Sequence, residues 1–366
     1  MPPRSSAPDG ASAVADPFAS SQLRRVRARR PRMQELGLVV VIVVLCAILS
    51  LYGYYDAAPG RDNTFLNRKN FIDGIATPMS YYAIMAVGLT IVIVTSGIDI
   101  SVGSMLALAA LGSAAVLQSF AQDAPAWEVL PLALALPLGI GLAAGLLNGA
   151  LVVALRMHPF IVTLGTLSIF RGIANVTTRG ITLPSGDKVL PDAFTRLMWL
   201  EFGGLQVMPL IVMLLCVLGG WVYLHLMVAG RETYAIGGNE EAARFSGLRV
   251  GAIKLRVYAL AGLAAGIAGM VSLGRFGTAS ASTGTGYELT VIAAAVVGGA
   301  SLSGGRGTAL GALLGTLIIA LIQNGIYILH LQEEYRLIIT GAAIIIAVAL
   351  DRFSEFVRNR RLAGAK

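Results

Sequence analysis

Ten runs of predominantly apolar residues, separated by short polar segments, limit this chain more than any other feature. They cover approximately residues 36 to 55, 75 to 96, 100 to 119, 128 to 154, 159 to 176, 206 to 229, 255 to 275, 289 to 303, 308 to 329 and 336 to 350. About 20 apolar residues cross the hydrocarbon core of a bilayer. The composition agrees: only 13% of residues are charged, against about 25% in an ordinary soluble domain. Transmembrane barrels show short alternating strands, which these unbroken runs are not. The 43 glycines in 366 residues suit helices that pack in lipid through small residues. The expected fold is all-α, a polytopic integral membrane helical bundle of about ten spans, with the shorter eighth and tenth partial or re-entrant.

Three sets of glycines recur at helical spacing: Gly141, Gly145 and Gly149; Gly262 and Gly266; and Gly307, Gly311 and Gly315. Each set lies on one helix face and predicts close backbone approach. Two loops, Gly97 to Gly103 and Gly299 to Gly305, share the order Gly, two residues, Ile or Leu, Ser, one residue, Gly, a weak trace of duplication.

Residues 1 to 35 are rich in Pro, Ser, Ala and Arg and read as a disordered basic tail, with 351 to 366 a second basic tail. The first apolar run continues into Tyr52, Tyr54 and Tyr55 without a clear small-residue cleavage site, so it reads as a span and not a signal peptide. Ten spans place both termini on one side. With that side cytoplasmic, 19 of the 28 Lys and Arg fall inside and nine outside, Arg171 and Arg275 among the nine. This distribution follows the positive-inside rule. The basic residues form no single stripe, so nucleic acid is not an expected partner.

Several chemistries are excluded or left without residues. None of the four lysines follows a glycine, so the chain has no P-loop of its own. The three histidines, His158, His225 and His330, lie apart, and neither a metalloprotease nor a hydrolase motif is present. Cys46 and Cys216 sit inside apolar runs and suggest neither a disulfide nor a metal site. The span interiors read as free of charge, whereas ion-coupled carriers need an ionisable group near the midplane. Asp99, between the second and third spans, is the one candidate coupling carboxylate, and it reads more readily as a helix-terminal cap. A stand-alone secondary carrier or facilitator using Asp99 is therefore the alternative reading. Neutral polar residues offer hydrogen bonds either to a polyhydroxylated solute or to neighbouring helices. Ser101, Asn148, Thr163, Thr166 and Asn324, with Asp99, are the candidate translocation-path residues.

The longest inner loop, Gly230 to Lys254, contains good helix formers from Glu240 to Phe245 followed by Ser246 and Gly247 as a stop. Its Glu241-Ala242-Ala243, three residues, then Gly247 resembles the signature by which permeases of ABC importers dock onto their ATPase, although the later Ile-x-Leu-Pro part is absent. The runs Thr95-Ser-Gly-Ile-Asp-Ile-Ser-Val-Gly-Ser104, Leu147-Asn-Gly149, Pro159-Phe-Ile-Val-Thr-Leu-Gly-Thr166, Tyr234-Ala-Ile-Gly-Gly-Asn239 and Val297 to Gly307 resemble the ribose and xylose type permeases of monosaccharide ABC importers, over about residues 70 to 350. The resemblance implies a bacterial inner-membrane permease that pairs with a second permease copy, an ATP-binding subunit and a periplasmic sugar-binding protein. It implies no cofactor in this chain, ATP and magnesium being used by the partner. It makes Glu240, Glu241, Ala242, Ala243, Arg244 and Gly247 the coupling segment and the outer loop from Thr177 to Gln206, with Trp199, a docking surface for the binding protein. An ABC permease for autoinducer or nucleoside is the nearest alternative within the class.

Overall fold

A computed structural model describes residues 32 to 56 and 63 to 332, with scattered residues up to 349. The N-terminal tail to residue 31 and the C-terminal tail lie outside the described residues, as does most of the tenth expected span. Among the described residues, seven helices are long and apolar enough to cross a membrane, and two shorter apolar helices accompany them. The long ones are α1 (Arg32–Asp56), α2 (Thr77–Val94, continued from a π-helical turn at Asn70–Ala76), α4 (Ala126–Leu155), α5 (Pro159–Thr178), α7 (Met208–His225), α10 (Val250–Phe276) and α12 (Ala309–Ile328). The shorter ones are α3 (Val102–Leu117) and α11 (Tyr287–Val297). Three further short helices, α6 (Asp192–Met198), α8 (Val228–Gly238) and α9 (Glu240–Phe245), sit in the connections. Among the described residues there is no strand, only two isolated bridges.

Helix α2 is the hub: it is almost wholly buried, and α10, α7, α12 and α11 pack around it. Its residues are apolar all round, as a helix without a solvent or lipid face should be. By contrast α1, α5 and α7 keep rows of exposed apolar side chains, such as Val40, Val44, Ile161, Leu164, Leu215 and Leu218, suited to hydrocarbon.

The most extensive helix contact joins α4 and α10, and glycine is its cause. A Cβ on Gly145 would sit 2.9 Å from Gly262 Cα, and one on Gly141 would sit 2.7 Å from Gly266 Cα. The backbones touch directly, so two of the glycine sets form one seam. Of the third set, Gly311 and Gly315 close on α11, where a Cβ on Gly315 would lie 2.6 Å from Gly298 N, whereas Gly307 precedes α12 and lies instead against Thr90 and Val94 of α2.

Neither short helix is long enough to cross alone. At about 1.5 Å per residue, the 11 residues of α11 reach about half of a roughly 30 Å hydrocarbon core. Helix α11 ends beside the Gly299 to Gly305 loop, so its first residues, Tyr287 and Glu288, lie at mid-depth rather than at the outer surface. The segment 277 to 286 dips inward to reach them. There it meets the start of α3, with Gly284 packed on Gly103. One expectation is corrected: Arg171 lies within α5 and not in an outer segment, so the span interiors are not free of charge. Its guanidinium is half-buried and donates to the carbonyls of Ala281 (2.5 Å) and Thr283 (2.6 Å), satisfying the dipping segment.

The two resembling loops come together at one end of the bundle. Ser96 Oγ donates to Ser303 O at 3.0 Å, and Gly305 N donates to Val94 O at 2.8 Å. Helix α8 packs on this junction through Gly237, where any Cβ would overlap Val94 O.

Candidate functional site

Helices α8 and α9 form a hairpin at the end of the bundle where the two loops meet. Asn239 stands between them in extended conformation and caps α9, its Oδ1 accepting from Ala242 N at 2.9 Å. Gly247, at φ +85, stops it. A six-residue helix is far too short to persist in water by propensity. What holds it is a small apolar core in which Ala243 packs with Ile236, Val250 and Ile253.

The coupling residues expected from sequence divide into two kinds. Glu240 turns inward, pairing with Lys254 at 2.8 Å and Arg244 at 3.4 Å, and Ala243 is buried. Glu241, Ala242, Arg244 and Gly247 are exposed. Phe245, which sequence reading used only as a helix former, is the largest exposed group on α9 at 83% exposure. Exposed single apolar residues are common, but a phenylalanine on a charged hairpin outside the apolar spans is a ready contact for a partner protein.

Tyr234 on α8, another residue sequence reading left without a role, links this hairpin to the bundle. Its hydroxyl donates to Gly307 O at 2.6 Å, at the entry to α12. Burial pushes that hydroxyl up to about 12, so it remains a donor at physiological pH. Arg256 at the base of α10 adds a bond to Glu232 at 2.9 Å. A displacement of the hairpin would therefore be felt at α10 and α12 through short, partly buried contacts.

The six candidate path residues do not line one path. Asp99, Ser101 and Asn148 are fully buried together. Asp99 Oδ1 accepts from Ser101 N (2.9 Å) and Ser101 Oγ (2.6 Å), while Asn148 Nδ2 donates to Asp99 Oδ2 (3.1 Å) and to Ser101 Oγ (2.8 Å). Thr163 extends the set by accepting from Ile100 N at 3.3 Å, and Thr166 bonds back to Thr163 O in its own helix. This network pins the irregular segment 95 to 101 against α4 and α5. Asn324 lies elsewhere, toward the opposite end of the bundle. It exchanges amide hydrogen bonds with Asn70 at 3.2 and 2.8 Å.

At that opposite end the connection from Thr177 to Gln206 carries α6 and an exposed rim including Trp199, Leu200 and Phe202. It is anchored by paired backbone bonds between Leu183 and Ala279, both 2.8 Å, and by Trp199 Nε1 donating to Gly274 O at 2.7 Å. A cleft of about 360 Å³ beside Trp199 is lined by Lys69, Asp73, Glu201 and Arg275. The rim is thus part apolar and part charged, a composition usual for a protein contact surface.

Comparison with known proteins gives a consistent result. Residues 71–348 match the family model described as branched-chain amino acid transport system / permease component. A ribose import permease protein of Escherichia coli (strain K12) is 36% identical over 332 residues, covering 90% of this chain and 96% of the relative. The ribose import permease protein of Bacillus subtilis (strain 168) is 39% identical over 321 residues, covering 87% and 93%. A galactose/methyl galactoside import permease protein of Escherichia coli (strain K12) is 37% identical over 335 residues, covering 87% and 94%. No solved structure matches.

Proposed function

This chain belongs to the permease-component family whose model spans residues 71–348, and we infer that it is the membrane-spanning subunit of an ABC importer for a monosaccharide. The single observation that carries the reading is its 36 to 39% identity, over nearly the full length of both chains, to proteins named as ribose and galactose import permeases. It is a transport component and not an enzyme, hydrolysis of ATP belonging to a separate subunit. It is a multi-pass inner-membrane protein that works with an ATP-binding and a substrate-binding partner.

The finer arrangement extends that reading. The α8–α9 end faces the cytoplasm, with both termini on that side, in keeping with the distribution of Lys and Arg. The exposed face of α9, carrying Glu241, Arg244 and Phe245, docks on the ATPase, which uses ATP and magnesium. The Trp199 rim receives the binding protein. Two permease copies, identical or closely related, enclose the path. ATP binding draws the two α9 hairpins together, and Tyr234 and Arg256 carry the movement into α12 and α10, rocking the spans. A secondary carrier driven through Asp99 is disfavoured because that carboxylate is sealed in a hydrogen-bonded network with no exposed surface.

Two experiments bear on this reading. Purified with its ATPase and binding protein, the permease is expected to support ATP hydrolysis stimulated by one or a few monosaccharides in a screen of pentoses and hexoses. Stimulation by nucleosides or amino acids alone would refute the sugar assignment. Asn239→Ala removes the α9 cap, a loss of about 1 kcal/mol, and is expected to lower stimulated hydrolysis about fivefold without changing the yield of folded protein. Unchanged hydrolysis would mean that α9 plays no part in coupling.

A further inference from the structure

A cleft of about 410 Å³ opens toward the end of the bundle opposite α8 and α9, between the π-helical turn, α2, α11 and α12. Its floor is aromatic. The ring of Tyr287, at the mid-depth start of α11, lies 4.6 Å from that of Tyr82 and stacks on Tyr81 at 5.5 Å and 15°. Tyr327, 79% exposed, stands on the opposite wall one turn beyond Gln323. The polar groups among its lining residues are amides and phenols, with no carboxylate, amine, guanidinium or imidazole.

Two of those amides have capacity to spare. Among the described residues Gln323 has no hydrogen-bond partner, although it lies inside an apolar span. The Asn70–Asn324 pair uses one N–H and one lone pair of Asn324 and leaves one of each unused. Lipid chains offer such groups nothing, and an unpaired amide in hydrocarbon costs several kcal/mol. Water or a hydroxylated solute must therefore reach this cleft. Its size falls within the range of about 300–1,000 Å³ typical of small-molecule sites, and its make-up is also typical: apolar walls with a few placed polar groups. Aromatic faces accept the C–H face of a sugar ring, amides bond its hydroxyls, and the lack of charge suits a neutral molecule.

Building on the monosaccharide importer reading above, we propose that this cleft, framed by Tyr82, Tyr287, Gln323, Asn324 and Tyr327, is a binding site for a neutral monosaccharide on the permease itself. It receives the sugar from the binding protein partway through the bundle. Capture from solution stays with the binding protein, and the cleft governs the rate of passage.

The test uses the full permease with its ATPase and binding protein in proteoliposomes, with Cys46 and Cys216 changed to serine and Ala320→Cys placed in the cleft wall. A small membrane-impermeant thiol reagent is expected to label that cysteine. Labelling is expected to slow about tenfold when D-ribose or D-galactose is present at about ten times its dissociation constant. Gln323→Ala and Tyr287→Ala in the otherwise native chain are expected to lower kcat for import about tenfold with KM unchanged, because KM is set by the binding protein. If the complex imports one of these sugars while Ala320→Cys is unreactive, or is protected by no sugar, the site is refuted and the importer reading stands. Protection by a short alkyl compound but not by sugar would make the cleft a lipid groove and also refute it. If the complex imports no monosaccharide, the importer reading itself fails and the site with it.

Discussion

Glu241→Lys is expected to leave the permease folded and to abolish both sugar uptake and sugar-stimulated ATP hydrolysis. The side chain is exposed and, among the described residues, has no ion-pair partner, unlike its neighbour Glu240, which is paired with Lys254 and Arg244. Its removal therefore costs the fold little: about 0.5 kcal/mol, as for most surface substitutions, plus a few tenths for a charge lost from the first turn of a helix. At a docking surface the same reversal is far more damaging, since like charges brought together across an interface cost several kcal/mol. Each 1.4 kcal/mol is a tenfold loss of affinity, so the ATPase is expected to dissociate. Melting temperature, co-purification of the ATPase, and uptake in proteoliposomes separate these effects. Unimpaired uptake would remove α9 from the coupling role. Phe245→Asp acts at the same face through loss of an apolar contact, and the same three measurements apply to it.

The helical spans were legible because length and hydrophobicity are local properties. The apolar runs at 128 to 154 and 255 to 275 correspond to α4 and α10 within a few residues. The glycine sets were legible for a related reason: a residue without a side chain, repeated every turn, leaves a groove that only another backbone can fill. The depth of the short helices was not legible. Nothing local tells Tyr287–Val297 that it starts halfway through the bundle, because that depends on the segment 277 to 286 dipping in to meet Gly103. Position 171 already falls inside the run at 159 to 176, so the place of Arg171 in a span was legible; its partners, the carbonyls of Ala281 and Thr283 more than 100 residues away, were not. The polar candidates had the right chemistry but no distances. Asn324 could not be separated from Asn148 until its pairing with Asn70, 254 residues away, placed it in a different part of the bundle. Loop signals fixed the limits of α9, whereas the exposure of Phe245 depends on which face Ala243 buries.

The seam between α4 and α10 carries the largest expected effect on folding. Gly141→Leu is expected to abolish accumulation of the permease as a monodisperse species, while Gly139→Leu on the same helix is tolerated. A Cβ on Gly141 would fall 2.7 Å from Gly266 Cα and overlap Gly262 O, and both obstacles are backbone that no rotamer change removes. Around Gly139 nothing lies within 4 Å. Overpacking by a side chain typically costs about 1–3 kcal/mol when neighbours can shift. Here the helices must separate, which forfeits the dispersion contacts of the whole seam, and no hydrophobic effect in lipid draws them back together. Leucine is also a better helix former than glycine by nearly 1 kcal/mol, so loss at position 141 with retention at 139 isolates packing from propensity. The measurement is the fraction of protein eluting as a single species after extraction, with expression level as control. Equal elution of both variants would show that α4 and α10 do not pack through their glycines.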